Sequence, residues 1–397
     1  MKTIDFKTNS PKNDPILALG AESAGNFSVL ASGKIFLSGD FGDLLEEKNF
    51  RIFKKGVLEF LQKNKITPKA VLTDLHPLYK TTTWGVKLAQ KFKAKHIGIQ
   101  HHLAHVFSAI GENVFSASPH LGAEPSSPTE DSIFTRKKPS IGIACDGTGY
   151  GLDGKIWGGE VFKLSAANYQ LSAERVGHLE NHVMIGGDLA IREPARMIIA
   201  VLSKFMDKNE VYDFVKKYYT RNQFELLYNQ MKQDFNCQET SSAGRVLDAV
   251  SVMLGFSGNE RKYKHAPIVS LEQNSTLAYG NLKPKISSLY NEELKIINYE
   301  LSTTHLFEYL IKNLHRDKKR LAATAQLYLA EGLCKIVRLA ASDKNPTVFF
   351  SGGMANNKIM SAYMKSKGAV MNEKIPRGDG GLSFGQIARY LLTNPGD

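Results

Sequence analysis

The chain has 397 residues, 42% hydrophobic and 23% charged, which allows two or three domains around a sizeable core and excludes a disordered or fibrous protein. Its formal charge of +12 comes from Lys and Arg scattered along the sequence, so it could attract nucleic acid or an acidic partner but presents no basic block. No apolar run is long enough to span a bilayer and residues 1–6 lack the apolar core of a signal peptide, so no membrane association and a cytoplasmic protein are expected.

In chain order, a polar lead is followed by short β-rich runs at 16–22, 26–31 and 34–40, separated by turn residues, which predict a meander of antiparallel strands. A helical tract at 49–65 and a buried-type strand at 70–77 come next. The apolar run His96-Ile97-Gly98-Ile99 then feeds Gln100-His101-His102-Leu103-Ala104-His105 and an amphipathic continuation, a strand leading into a helix. Residues 114–138 are rich in Ser, Pro, Glu and Lys without a sustained period, and read as an exposed linker between two lobes. A second meander opens at 140–145, turns at Asp146-Gly147-Thr148-Gly149-Tyr150-Gly151, and continues through 156–162 and 169–179; two copies of one unit predict a duplicated architecture. The rest is mainly helical, with apolar spacing at 197–205, 224–231, 247–254, 306–314 and 321–340, before a strand at 346–350 and a final helix at 383–392.

The candidate chemistry starts from the histidines. On a helix, His101 and His105 lie one turn apart on one face, where two neutral imidazoles can grip one metal ion; a His-rich helix end is the alternative. A third ligand must come from elsewhere, and Asp379, in the loop Ile375-Pro376-Arg377-Gly378-Asp379-Gly380-Gly381 before the final helix, is the candidate, although Asp-Gly-Gly is also a common loop sequence. In Asp146-Gly147-Thr148-Gly149 the glycines let backbone N–H groups approach a phosphate, Thr148 offers a hydroxyl, and Asp146 can address a cation or a water; a tight hairpin is the other reading. A second glycine turn, Ser351-Gly352-Gly353-Met354-Ala355-Asn356, links a strand to a helix and suits an adenosine or phosphate contact. Cys145, Cys237 and Cys334 form no Cys-x-x-Cys pair, so buried or inert thiols are expected rather than a zinc ribbon or disulfides.

Together these motifs resemble the ATP-binding fold shared by actin, Hsp70 and sugar kinases (the ASKHA fold), in the branch containing the tRNA threonylcarbamoyl transferases. Within that branch they resemble the C-terminal, Kae1-like portion of the HypF carbamoyltransferases, the hydrogenase-maturation proteins. The matching stretches keep one order along the chain, at 18–22, 74–79, 100–105, 146–151, 157–160, 186–197, 241–249, 351–353 and 379–382. The resemblance implies an α/β fold of two lobes with a mixed sheet each. Residues 1–138 would form the first lobe with the His-x-x-x-His helix, and residues 139–397 the second, with a helical insertion at about 183–340 and a final helix packing back on the first lobe. It implies His101, His105 and Asp379 as ligands of a divalent metal (Fe, Zn, Mn or Mg). Contacts to ATP, or to the AMP part of carbamoyl-adenylate, would come from Asp146, Gly147, Thr148, Gly149, Gly187, Gly244, Asp248, Ser351, Gly352, Gly353 and Asn356. Asp188, Arg192 and Glu193 fall in the family's inserted substrate-lobe motif and are the implied catalytic residues, holding the carbamoyl or adenylate group. The implied reaction is attack of the C-terminal cysteine of a HypE-type partner on the carbamoyl carbon, with AMP leaving, toward the cyanide ligand of a nickel–iron hydrogenase.

Full-length members carry an acylphosphatase domain, zinc fingers and an adenylate-forming domain ahead of this portion, so a separate YrdC-like protein is expected to supply the adenylate. Ala24, Asp40, Lys264 and Tyr328 stand where the family's pattern has Lys, His, Glu and His, which alters the charge around a phosphate site. Two other readings stay open: a tRNA-modifying transferase like the threonylcarbamoyl branch, consistent with the basic charge, and a non-catalytic nucleotide-binding subunit.

Overall fold

The structure, a computed structural model, describes residues 4–7, 14–116, 140–167, 170–292, 296–341 and 345–393. The first half of the chain runs β1 (Ile4–Lys7), β2 (Ile16–Ala18), β3 (Ser28–Ala31), β4 (Lys34–Leu37), α1 (Glu47–Lys63), β5 (Ala70–Asp74), α2 (Lys80–Phe92), β6 (Lys95–Ile99) and α3 (His101–Ser116). Its strands form one sheet in the order β1-β4-β3-β2-β5-β6. The polar lead therefore contributes an edge strand, β1, ahead of the expected meander. Of the expected linker, residues 114–116 belong to α3 and the others lie outside the described residues.

The second half begins with β7 (Ser140–Tyr150), β8 (Ile156–Ala167), β9 (Gln170–Leu179) and β10 (His182–Ile185). Helices α4 (Leu189–Arg192), α5 (Ala195–Leu202), α6 (Lys208–Val215) and α7 (Arg221–Lys232) follow, then β11 (Cys237–Thr240), α8 (Ala243–Leu254) and α9 (Ala266–Gln273). The hairpin β12 (Ile286–Asn291) and β13 (Ile296–Leu301) precedes α10 (Thr303–Lys312) and α11 (Lys318–Ala340). Last come β14 (Thr347–Ser351), α12 (Lys358–Ser366) and α13 (Leu382–Leu392).

The duplication is visible in strand pairing. In each half a three-stranded antiparallel meander, β2-β3-β4 or β7-β8-β9, takes a parallel partner on its first strand, β5 beside β2 and β14 beside β7. One expectation needs correcting: Asp146–Tyr150 is not a turn but the end of β7, bulged between Cys145 and Gly149, and the chain reverses at 151–154. A bulge adds a residue to one strand and re-aims its side chains, which is how Asp146 leaves the regular alternation.

Helices form where apolar residues recur at helical spacing and a polar side chain satisfies the first free N–H groups. In α1 the buried residues are Phe50, Phe53, Val57 and Leu61; Ser242 caps α8 by accepting from Arg245 N, and Gly255 ends it in the left-handed region at φ +85°. Two helices are exchanged between the halves. Leu103, Val106, Phe107 and Ile110 of α3 pack with Ala144, Trp157 and Phe162 of the second sheet, while Leu382, Phe384 and Ile387 of α13 pack with Ile16, Ala18 and Leu72 of the first. The two helices meet at Gly385, where a Cβ would lie 1.9 Å from the carbonyl oxygen of Ala104.

Candidate functional site

The site is built on the start of α3. Gln100 fixes that start: its Oε1 accepts from Leu103 N (2.9 Å), and its Nε2 donates to the Tyr150 carbonyl (2.9 Å) and sits 3.1 Å from His102 Nδ1. This ties the first turn of α3 to the end of β7. Gly149 lets the strand come close, because a Cβ there would lie 2.5 Å from His102 Cε1 and 2.7 Å from His101 Cδ2.

Four ligand atoms converge in front of α3. His101, His105, Asp146 and Asp379 each offer one, all within 4.8 Å of one another. His101 Nε2 is 3.3 Å from Asp146 Oδ2 and 3.9 Å from Asp379 Oδ1, and His105 Nε2 is 3.5 Å from each of the same two oxygens. Four ligands roughly 2.1 Å from a shared ion in a tetrahedron stand roughly 3.4 Å apart, so the spacing suits a divalent metal. Both ring nitrogens of His105 are buried without a hydrogen-bond partner among the described residues, which also fits a metal ligand.

Two of the four candidate ligands, His101 and Asp146, are held from behind. The Asp74 carboxylate, at the end of β5, takes His101 Nδ1 at 2.7 Å and the His76 backbone N–H at 2.9 Å. A carboxylate on Nδ1 keeps the proton there and leaves Nε2 free for a metal. Asp146 Oδ1 accepts from Gly353 N (3.0 Å), and Gly353 must lack a side chain because a Cβ would stand 2.6 Å from that oxygen.

The electrostatics follow from burying two imidazoles against carboxylates. Burial disfavours charge on His101, but Asp74, Asp146 and Asp379 outweigh it and raise its pKa well above the ordinary value; His105 is raised in the same way by Asp146 and Asp379. Burial would raise Asp146, yet its contacts with His101 and His105 hold it well below the usual carboxylate range. His102 differs: burial, then the neighbouring His101, push it down to about 3, so it is a neutral packing residue against Trp157.

Beside this cluster lies a cavity of about 700 Å³ whose wall includes Asp146 and Asp379. Of the residues singled out as nucleotide contacts, Asp146, Gly353 and Asn356 line it, while Gly147, Thr148, Gly149, Gly187, Gly244, Asp248, Ser351 and Gly352 are not part of its wall. Several of these do other work. Gly244 backs onto Gly147 Cα, Gly352 backs onto the Cys145 carbonyl, Asp248 is buried against Arg245 (2.7 Å), and Ser351 Oγ lies 3.1 Å from Asn372 Oδ1.

Asp188, Arg192 and Glu193 line neither the cavity nor the ligand cluster. Asp188 and Arg192 are exposed around the short helix α4, with Asp188 near His76, whose pKa burial lowers despite the neighbouring Asp74 and Asp188; Glu193 accepts from Arg196 Nε and Tyr219 Oη, both at 2.9 Å. Of the departures from the family's pattern, Ala24, Asp40 and Lys264 all face the cavity. Lys264 Nζ donates to the Ser23 carbonyl (2.8 Å) and stands 3.7 Å from Asp379 Oδ2, placing a cation beside the position of the missing lysine. Tyr328 is buried elsewhere, its hydroxyl donating to the Ser302 carbonyl.

Sequence reasoning assigned no role to Asp74 or Glu112. Asp74 had a signal, a carboxylate closing the apolar run 70–73, and Glu112 had one too, a charge seven residues after His105 on a buried helix. The three cysteines are free; Cys145 and Cys334 are buried and Cys237 is half-buried.

Comparison with known proteins agrees with this layout. Residues 142–386 match the family described as "Carbamoyltransferase, Kae1-like Domain, second subdomain", and residues 11–112 match the "HypF Kae1-like domain". A relative from Methanocaldococcus jannaschii, "Probable carbamoyltransferase HypF", is 33% identical over 98% of this chain, which spans about half (48%) of that protein. "Carbamoyltransferase HypF homolog" from Cupriavidus necator is 28% identical over 94% of this chain and 90% of its own length. The crystal structure of T. kodakarensis HypF superimposes with a TM-score of 0.79 at 26% identity, covering 98% of this chain and 49% of that one. A full-length HypF in a phosphate- and nucleotide-bound form does so with a TM-score of 0.81 at 23% identity, covering 98% of this chain and 47% of that one, a likeness of fold.

Proposed function

The chain belongs to the HypF-type, Kae1-like carbamoyltransferase family, and from that premise we propose that it binds a nucleotide-linked carbamoyl donor and a divalent metal and passes the carbamoyl group to a protein thiol. The donor is carbamoyl-adenylate, the product of a YrdC-like adenylate-forming activity, and the acceptor is the C-terminal cysteine of a HypE-type partner. The observation that carries this reading is the sharing of Asp146 and Asp379 between the ligand cluster and the cavity wall, so that a donor bound in the cavity would lie against the candidate ligands.

When bound at His101, His105, Asp146 and Asp379, the metal supplies Lewis-acid stabilisation of charge developing on a donor oxygen. The chain's own residues do the rest. Asp74 holds His101 in the tautomer with Nε2 free, Gly353 N fixes Asp146, and Lys264 offers a cation at the cavity wall for an anionic donor. In the transfer, the acceptor thiol loses its proton to solvent, its sulfur forms a C–S bond to the carbamoyl carbon, the bond from that carbon to the adenylate phosphate oxygen breaks, and the electron pair leaves on AMP. Cys145 and Cys334 are unsuited as nucleophiles, since burial raises both thiols above the ordinary value.

The test is single-turnover transfer by the purified chain from supplied carbamoyl-adenylate to a peptide ending in cysteine, read as AMP release and a peptide mass gain of one carbamoyl group. His101→Ala with His105→Ala is expected to abolish both metal content and transfer. A wild-type chain that neither retains metal nor transfers the group would overturn the reading.

A further inference from the structure

Helix α3 carries a polar stripe along one buried face, His101, His105, Ser108 and Glu112, at intervals of four, three and four residues. The first two members face the ligand cluster. The last is a carboxylate only 7% exposed that accepts four hydrogen bonds from one segment. Its Oε1 takes Lys374 N (2.7 Å) and Glu373 N (3.1 Å), and its Oε2 takes Ile375 N (3.0 Å) and Asn372 Nδ2 (3.3 Å). Three successive backbone N–H groups closing on one anion form a nest that fixes the segment's conformation.

That segment leads directly to Asp379. Arg377 Nε closes it by donating to the Asn372 carbonyl (3.0 Å), and the Arg377 carbonyl accepts from Gly352 N (2.8 Å) at the end of β14. Asn372 Oδ1 sits 3.3 Å from Ser108 Oγ, the third member of the stripe. The Asp379 carboxylate at the end of this segment stands 3.5 Å from His105 Nε2 and 3.7 Å from Lys264 Nζ, so the backbone clamp upstream sets where it meets the histidines.

We propose that Glu112 is a positioning residue for the metal centre: it ties the segment presenting Asp379 to the helix presenting His101 and His105, so that one helix and its clamped loop fix three of the four ligands. The inference rests on the metal reading given above. It requires Glu112 to act through Asp379, which separates it from a general contribution to folding.

The experiment is a double-mutant cycle on the full chain with Glu112→Ala and Asp379→Ala, reading the affinity for Zn²⁺ or Mn²⁺ by calorimetry. Glu112→Ala is expected to weaken binding by roughly 10- to 100-fold, as loss of a ligand's supporting partner does. Placed in the Asp379→Ala background, it should weaken binding no further. Equal losses in both backgrounds, or none in either, would overturn the proposal. If Glu112→Ala fails to fold, Glu112→Gln keeps the shape while turning an NH₂ group toward half of the four donors, and the same cycle is read with it. A wild-type chain that binds no metal overturns the metal reading and this inference together, whereas metal binding unaffected by Glu112 overturns this inference alone.

Discussion

The sharpest test of the site is Asp74→Asn, an isosteric change behind the metal ligands. Asp74 is 1% exposed and uses both oxygens, Oδ2 toward His101 Nδ1–H (2.7 Å) and Oδ1 toward the His76 backbone N–H (2.9 Å). An amide has only one oxygen. If that oxygen stays on His101, the NH₂ group meets the His76 N–H donor to donor, leaving buried groups unsatisfied at a cost of about 1–3 kcal/mol. If the amide flips, its NH₂ faces His101, Nδ1 can only accept, and the proton moves to Nε2, the atom that faces Asp146 and Asp379. The second outcome removes the lone pair a metal needs. Either way metal affinity should fall roughly 10- to 100-fold, which is about 1.4–2.8 kcal/mol. The assay is competition for Zn²⁺ against a chromophoric chelator, with the thermal midpoint followed at increasing metal. A ligand that binds only the folded state raises stability in proportion to the logarithm of its concentration over Kd, so the metal-induced rise should shrink in the variant. Wild-type affinity in a folded Asp74→Asn chain would refute the tautomer argument.

Two other perturbations address the frame around the site. Glu160 is fully buried, accepts from Gly158 N, Gly159 N and Ser241 Oγ, and pairs with Arg175 at 2.5 Å; burial opposes its charge, but Arg175 and its neighbours hold its pKa at about 2 rather than 4.5. A depressed carboxylate contributes stability that is complete above its unfolded value and is lost as pH falls from about 4.5 through about 2, here roughly 3 kcal/mol. The stability gap between wild type and Glu160→Gln in urea titrations should therefore narrow across that window, and a gap independent of pH would count against the burial argument. For Gly385→Ala, the added methyl would stand 1.9 Å from the Ala104 carbonyl oxygen, so α13 must move off α3. A loss of about 1–3 kcal/mol in denaturant unfolding is expected, with weaker metal binding because Ala104 adjoins His105; unchanged stability would refute the close contact.

Much of the site was legible because local rules and chemistry coincide. The His-x-x-x-His spacing reads as one helix face, and the glycine turns around Asp146 and Ser351 mark places where backbones approach, at Gly149 against His101, Gly353 against Asp146 and Gly352 against Cys145. Where the reading missed, the cause was mostly tertiary. Asp146, read as part of a glycine turn where it could address a cation or a water, instead lies toward the end of a bulged strand that aims it at the imidazoles. The lead reads as polar overall, although Ile4-Asp5-Phe6-Lys7 alternates apolar and polar residues, and β1 pairs with β4 at the sheet edge. Asp188, Arg192 and Glu193 come only from the family resemblance, which names a motif without stating where its side chains point. The structure turns Glu193 to Arg196 and Tyr219, and sets Asp188 near His76.

The least legible feature is the packing of α3 on the second sheet; with α13 packing back on the first, which only the family resemblance implies, it explains why the candidate ligands meet where they do. A duplicated fold with each helix on its own sheet would leave His101 and His105 in one half and Asp146 and Asp379 in the other, separated by whatever cleft lay between. Here α3 packs on the second sheet, where Gly142 makes room for Val106, and α13 packs on the first, so the cleft is bridged by buried apolar contacts in both directions. The sequence carries this only as small residues: Gly142 in a strand, Gly149 beside the imidazoles, Gly385 in a helix. Each looks locally unfavourable, since glycine weakens both helices and strands. Each is required because the Val106 side chain, an imidazole or the Ala104 backbone from the other element occupies the space a side chain would fill. The candidate ligand set is thus brought together by packing between the halves.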